Sequence, residues 1–156
     1  MSQLIRPPQK VVDQIIDRLL PHVSVNEAML HDAICKTLDG THYRFPKIPE
    51  MVKVYRARLD AKTIQRHLGL EKLLRCKTVR TDSGVAPITL LTKPYPCPGK
   101  CIYCPTEVRM PKSYVASEPA AARALTLKFD PYQQVVKRVE ALERNGHEAK
   151  KIELII

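Results

Sequence analysis

The sequence predicts an α/β fold in which a basic helical module over residues 1–75 precedes the first βαβ part of a larger parallel barrel, over residues 76–156. Two observations support this prediction. Apolar pairs recur every four residues near the amino terminus, as in an amphipathic helix. In the second half, two apolar runs enclose two helical segments, and the order strand, helix, strand is typical of a parallel βαβ unit.

Four helices are predicted in the first half. Residues 9–20 carry the four-residue apolar step, and a capping box over residues 24–27 begins the second helix. Gly40 suits the carboxyl end of that helix, and Pro49 suits the first turn of the third. A short fourth helix is predicted over residues 60–74.

The second half alternates between strands and helices. Asp130 is predicted to cap the last helix, and Gly146 to end it. Parallel strands are usually covered on both faces, so this unit needs further strands, and the sequence is interpreted as the beginning of a larger enzyme. The predicted elements are strands over residues 78–80, 85–91 and 151–156, and helices over residues 117–128 and 131–144.

The composition indicates a folded protein of a reducing compartment. Hydrophobic residues make up 44% of the chain, which is enough for a packed core. Neither an apolar run of about 18 residues nor a signal peptide is found in the sequence. We therefore predict a cytoplasmic protein without a membrane partner, in which the five cysteines stay reduced.

The net charge of +10 is concentrated in one stretch. Residues 1–50 have a net charge of zero, whereas residues 51–80 carry nine basic and two acidic side chains. A face that serves only solubility mixes both signs, so this imbalance predicts contact with a nucleic acid. The candidate residues are Lys53, Arg56, Arg58, Lys62, Arg66, Lys72, Arg75, Lys77 and Arg80.

Three of the five cysteines lie within eight residues, as Cys97, Cys101 and Cys104. A tetrahedral zinc site needs four ligands, so zinc requires Cys76 as well, and a chance cluster of structural cysteines is a further alternative. The favoured interpretation is a 4Fe-4S cluster bound through three of its irons. Cys35 is instead placed on an apolar helical face, as a core residue.

A cluster held by three thiolates leaves one iron open to a ligand. The expected occupant is S-adenosylmethionine, bound through its amino and carboxylate groups, which makes the predicted site a radical-forming one. Tyr103 lies between the last two cysteines and offers a flat face to the adenine or a shield to the cluster. Ordinary packing is the alternative role for this side chain.

At these residues the sequence resembles the catalytic subunits of Elongator, which join a radical S-adenosylmethionine domain to an acetyltransferase domain. The resemblance is close from about residue 77 onward and looser over the basic helices. It rests on "VRTDSGVAPITLLTKPYPCPGKCIYCPTEVRMPKSY", "EPAAARAL", "FDPYQQVVKRVEAL" and "GHEAKKIELII". The uninterrupted C-x3-C-x2-C spacing looks like the prokaryotic form of the family.

The resemblance implies a tRNA-modifying enzyme that uses acetyl-CoA to modify C5 of the wobble uridine. It implies that Cys97, Cys101 and Cys104 bind the cluster and that Lys151 contacts acetyl-CoA. The basic helices would bind tRNA, and the expected partners are a second copy or an Elongator-type complex. Because the family continues into further strands and an acetyltransferase domain, these 156 residues are expected to be inactive alone.

Two other functions remain open at this stage. The first is a non-catalytic RNA-binding module in which the cysteines hold a structural metal. The second is a radical enzyme that acts on a small molecule, which the localised positive charge disfavours.

Overall fold

The computed structural model describes residues 4–156, and at Thr78 and Val79 it describes the backbone alone. Two compact units are present. The first spans Met1–Val79 and Glu143–His147, and the second spans Arg80–Leu142 and Glu148–Ile156. The elements are α1 (Gln9–Leu19), α2 (Glu27–Leu38), α3 (Ile48–Asp60), α4 (Leu68–Leu73), β1 (Ala86–Thr89), α5 (Pro119–Thr126), α6 (Pro131–Arg144) and β2 (Ile152–Ile155).

The first unit has a core of helices. The apolar step predicted in α1 is confirmed, because Val12, Ile15, Ile16 and Leu19 are all buried. They belong to one cluster with apolar side chains of α2, α3 and α4. Pro49 lies in the first turn of α3, as predicted.

The second helix begins with a different cap from the predicted one. Asn26 is the N-cap, and its side-chain oxygen accepts a hydrogen bond of 2.9 Å from the Met29 amide. This bond satisfies one of the free amides of the first turn. Gly40 follows the end of α2 at φ +68°, so the predicted helix end is confirmed.

The prediction of Cys35 as a core residue is wrong. Ile34 and Leu38 define the buried side of α2, and Cys35 follows Ile34 by one position, about 100° around the helix. Its side chain is exposed, and its sulfur lies 3.6 Å from His31 Nδ1.

The fourth helix is shorter than predicted. Residues 61–64 form turns and bends, and residues 65–67 are irregular. Lys62 has a φ of +54°. His67 then caps α4, because its Nδ1 accepts a hydrogen bond of 3.0 Å from the Leu70 amide. This cap was not predicted, because no sequence pattern is characteristic of a histidine that caps a helix.

Residues 143–147 return to the first unit after α6 ends. Gly146 stops the helix at φ +83°, as predicted. A β-carbon at this position would lie 2.7 Å from the Leu74 carbonyl oxygen, so the backbone approaches too closely for any side chain. The Cys76 amide donates a hydrogen bond of 2.9 Å to the Asn145 carbonyl.

His147 fixes the same segment from inside the first unit. The side chain is 1% exposed, and its Nε2 donates to the Cys76 carbonyl at 2.7 Å. The Arg56 guanidinium donates to the His147 carbonyl at 2.9 Å. These contacts hold residues 145–147 against α3 and the chain that follows α4.

The second unit contains the predicted parallel pair of strands. β1 pairs with β2 so that Ala86 lies opposite Ile152 and Ile88 opposite Leu154. The βαβ connection is therefore confirmed, as a sheet of two strands within residues 4–156. Ala86 and Ile88 are fully buried, whereas all four residues of β2 are exposed.

The strand predicted over residues 78–80 is wrong. The segment Thr78–Thr81 is a 3-10 helix instead. The Gly84 amide closes a turn on the Thr81 carbonyl at 2.9 Å, so the chain curls before β1 rather than extending. A run of three residues has too few backbone groups to prefer a strand without a neighbour to pair with.

The last helix is anchored to the end of β1. Asp130 caps α6 as predicted, since its carboxylate accepts a hydrogen bond of 2.9 Å from the Gln133 amide. One turn later, Gln134 is 5% exposed and bonds both backbone groups of Leu91, at 3.1 and 3.0 Å. These two hydrogen bonds satisfy the amide and the carbonyl of Leu91, just after the end of β1.

Within residues 4–156, none of the helices combines the length and the apolar character needed to cross a bilayer.

Candidate metal centre and nucleic-acid interface

The cysteine loop follows the carboxyl end of β1. Residues 90–118 contain neither helix nor strand. Leu91 and Met110 anchor the segment, because both are buried in a cluster with Ala121, Ala124 and Phe129. The cysteines lie between these anchors, on chain that regular structure does not constrain.

Cys97 and Cys101 lie beside one glycine. A β-carbon at Gly99 would lie 3.4 Å from Cys97 Sγ and 3.8 Å from Cys101 Sγ. The Gly99 amide donates a hydrogen bond of 3.4 Å to Cys97 Sγ. Both thiols are exposed. The two sulfurs therefore lie on the same part of the loop, each within van der Waals distance of the Gly99 β-carbon position.

Cys104 is connected to Cys101 by a turn but faces another neighbour. Its amide donates to the Cys101 carbonyl at 3.2 Å, while its sulfur lies 3.5 Å from Ser113 Oγ. This thiol is partly buried. In the part of the chain that the structure describes, no group of three or more metal-binding side chains is close enough to hold an ion.

The donor set fits a group bound by three thiolates. Thiolates suit iron–sulfur clusters, and the spacing puts all three on one short, open segment. Each side chain reaches solvent at least partly, so a cluster can be delivered to them. Cys104 Sγ contacts Ser113 Oγ, so the three sulfurs are not grouped around one position in the described residues.

The loop also presents aromatic side chains to solvent. Tyr103 is 86% exposed and Tyr95 is 85% exposed. Tyr103 is therefore not held in a hydrophobic core within residues 4–156, so packing inside this chain does not explain its position.

Lys151 lies directly before β2. Its side chain is exposed, and its carbonyl accepts a hydrogen bond of 2.8 Å from the Ala86 amide. The backbone is thus fixed by the sheet while the ammonium group is accessible. Its predicted contact with acetyl-CoA remains a prediction.

The structure divides the nine basic candidates by what they contact. Four lysines of the first unit are exposed, and in the described residues neither an ion pair nor a hydrogen bond engages their ammonium groups. They lie on α3, on α4 and in the turns that follow these helices. They are Lys53, Lys62, Lys72 and Lys77.

Three arginines of the set are used within the first unit. Arg58 pairs with Asp17 at 2.6 Å and with Asp13 at 3.8 Å. Arg66 pairs with Glu71 at 2.8 Å, and Arg56 donates to the His147 carbonyl. Arg75 is half-buried and has contacts of its own. The residues available to a polyanion are therefore mainly the lysines.

Tyr55 is a core residue rather than a stacking surface. The side chain is 3% exposed, and its hydroxyl accepts a hydrogen bond of 2.8 Å from the His67 amide. Burial, as the largest cause, raises the pKa of this phenol. A nucleic acid would thus meet charge here, without an aromatic platform from this residue.

Arg80 belongs to the second unit, and its side chain is exposed. Burial is the main cause that lowers the pKa of the Arg138 guanidinium, and the charges of Arg123 and Arg80 lower it further. Neither Arg123 nor Arg138 was among the candidates predicted from the sequence. The one available signal was the position of Arg138, which lies one turn from two buried residues of α6, Gln134 and Leu142.

The chain is similar to curated proteins of one kind. The protein named tRNA uridine(34) acetyltransferase from Dehalococcoides mccartyi is 49% identical over 51% of this chain and 17% of its own length. The protein of that name from Methanocaldococcus jannaschii is 51% identical over 54% of this chain and 17% of its own length.

Elongator complex protein 3 of Drosophila melanogaster is 33% identical over 94% of this chain and 28% of its own length. The chain thus spans between 17% and 28% of the length of these relatives. No protein-family model matches the chain.

Proposed function

We propose, from its similarity to tRNA uridine(34) acetyltransferases and to Elongator complex protein 3, that this chain is part of an enzyme that modifies the wobble uridine of tRNA. The single observation that carries the proposal is the exposed three-cysteine loop at the carboxyl end of a parallel β-strand. Ligand and cofactor sites of parallel α/β folds usually lie at that edge. The relatives' names then indicate the substrate.

Cys97, Cys101 and Cys104 would hold a 4Fe-4S cluster. When bound, such a cluster supplies an electron to S-adenosylmethionine, which is the source of radical chemistry in this class. The protein's contribution is to hold three thiolates on one loop. Tyr103, exposed between two of them, would cover the cofactor's adenine or limit the access of water.

Lys151 is proposed to contact acetyl-CoA, as in the family that the sequence resembles. Its exposed ammonium group, carried by backbone that the sheet fixes, suits a phosphate or carbonyl oxygen. Residues 1–75 are proposed as the tRNA-binding module, and residues 76–156 as part of the radical S-adenosylmethionine domain. A second copy or an Elongator-type assembly is the proposed protein partner.

The test of the proposed chemistry is anaerobic reconstitution with iron and sulfide. We expect a 4Fe-4S absorption spectrum and, after one-electron reduction with dithionite, a paramagnetic-resonance spectrum that changes when S-adenosylmethionine is added, because one iron stays open to it. Tight zinc binding without uptake of iron would contradict the proposal. That result would favour a non-catalytic RNA-binding module with a structural metal.

The interface with tRNA is expected to be electrostatic. Changing Lys53 and Lys72 together to glutamine should flatten the dependence of affinity on salt, by about 0.7–0.9 in the log–log slope for each phosphate that the variant no longer neutralises. Both side chains are exposed. We prefer them to Arg56 and Arg66, whose substitution would also break interactions inside the protein.

Filter binding of a tRNA transcript across a salt series measures the slope. The matched control is the double change of Lys10 and Arg18 to glutamine, which removes the same charge from exposed positions of the same unit. An equal decrease of slope in both double variants would mean that net charge alone acts, and the surface would not be the interface.

A further inference from the structure

Cys104 differs from the other cysteines of the loop in its surroundings. It is partly buried, whereas Cys97 and Cys101 are exposed. Its thiol donates to the Pro105 carbonyl at 3.6 Å, and the same sulfur lies 3.5 Å from Ser113 Oγ. A thiol carries a single proton, and here that proton is directed at the carbonyl. The Ser113 hydroxyl is therefore the donor in the second contact, and the sulfur is its acceptor.

The chain on both sides of Ser113 is tied to the last part of the cysteine loop. The Lys112 ammonium group donates a hydrogen bond of 2.9 Å to Thr106 Oγ1. The Glu107 carboxylate accepts a hydrogen bond of 2.8 Å from the Ala116 amide. These contacts lie on either side of the serine, so the fold of the loop keeps its hydroxyl within reach of the sulfur.

The backbone at Ser113 adopts a conformation that serine rarely takes. Its φ is +74°, and it is the third residue of a turn that the Tyr114 amide closes on the Pro111 carbonyl at 3.2 Å. Glycine or asparagine is the usual residue at such a position, because a β-carbon is strained there. The side chain is exposed, so burial does not explain the serine. The strained turn instead presents a hydroxyl to the Cys104 sulfur, and strain of this kind is typical of functional positions.

We propose that the Ser113 hydroxyl donates a hydrogen bond to the Cys104 sulfur while that sulfur binds the iron–sulfur cluster, and that it thereby raises the reduction potential of the cluster. This inference rests on the proposed function. A metal-bound thiolate has no proton for the Pro105 carbonyl, but the serine O–H remains a donor, and a charged acceptor strengthens its hydrogen bond. Reduction adds negative charge that the sulfurs share, so a donor at one sulfur stabilises the reduced form. Ser113 is thus a positioning residue, which acts on the cluster through Cys104.

Ser113→Ala and Ser113→Gly test the inference in the whole chain, after anaerobic reconstitution with iron and sulfide. Both variants lose the hydroxyl, but alanine keeps the strain of the positive φ whereas glycine relieves it. At the applied potential that half-reduces the parent cluster, the ratio of reduced to oxidised cluster should fall about threefold to tenfold in both variants. Iron content should equal that of the parent. Paramagnetic resonance of samples poised at fixed potentials measures the ratio.

Ser117→Ala is the matched control, because it removes a hydroxyl from an exposed position of the same segment. Its cluster should keep the ratio of the parent. A fall in Ser113→Ala with no change in Ser113→Gly would assign the effect to the backbone and overturn the proposal, and so would an equal fall in Ser117→Ala. If Ser113→Ala does not fold, Ser113→Gly is judged against Ser117→Ala by the same ratio.

Iron content separates the failure of this inference from the failure of the proposed function. A parent chain that takes up no iron would contradict both. A loaded parent whose ratio does not respond to loss of the Ser113 hydroxyl would overturn this inference alone, because the contact would then belong only to the chain without its cluster.

Discussion

Alanine at Cys97, Cys101 or Cys104 is expected to abolish iron–sulfur binding. Each thiolate would hold one iron, and the loop offers no other cysteine between its buried anchors, Leu91 and Met110. Loss of any one ligand leaves two, which is too few to hold a cluster against exchange with solvent. Iron and acid-labile sulfide are measured after anaerobic reconstitution of each variant.

Cys35→Ala is the control for these variants. Because Cys35 is exposed on α2 of the first unit, its loss should change neither stability nor iron content. Cys76→Ala adds a second comparison, since a zinc site completed by Cys76 would lose its metal in that variant and a three-thiolate cluster would not. Full retention of iron in any of the three loop variants would remove that cysteine from the proposed ligand set.

A methyl group at Gly146 should destabilise the first unit strongly. The φ angle of +83° disfavours alanine, and the new carbon would lie 2.7 Å from the Leu74 carbonyl oxygen. Left-handed backbone costs roughly 1–2 kcal/mol for a residue with a β-carbon, and overpacking adds about 1–3 kcal/mol. We therefore expect Gly146→Ala to lower the free energy of unfolding by about 2–5 kcal/mol.

Urea unfolding measures this decrease, and Gly40→Ala isolates its cause. Gly40 has a similar φ of +68°, but nothing lies within 4 Å of the position of its β-carbon. That variant should show the conformational cost alone. If the two variants lose equal free energy, the close approach to Leu74 contributes nothing and the packing argument fails.

Elements with strong local signals were predicted from the sequence. The apolar step of α1 and the proline in the first turn of α3 reflect interactions within a few residues. So do the cap of Asp130 on α6 and the stop at Gly146. Interactions between residues that are close in the sequence can be predicted from the sequence alone.

One error arose where distant residues decide the outcome, and another arose from the phase of a helix. Residues 78–80 look like a strand, but β1 pairs with β2 and the earlier segment curls into a 3-10 helix. Cys35 was predicted to lie on the apolar face of its helix. The buried side of α2 is instead set by Ile34 and Leu38, and Cys35 lies outside it.

The candidate sites divide in the same way. The cysteines are visible in the sequence because one loop carries them all. Arg58, by contrast, reads as an available cation, although Asp13 and Asp17 on α1 neutralise it.

The contacts of His147 also bear on how the chain folds during synthesis. Arg56 reaches the His147 carbonyl across 91 positions, and His147 reaches the Cys76 carbonyl across 71. The first unit therefore cannot finish packing until residue 147 has left the ribosome, although its four helices emerge much earlier. Contacts of such high sequence separation form late and slow the search for the native state. The nascent amino-terminal helices would form a partly packed intermediate, which residues 143–147 must join before it becomes rigid.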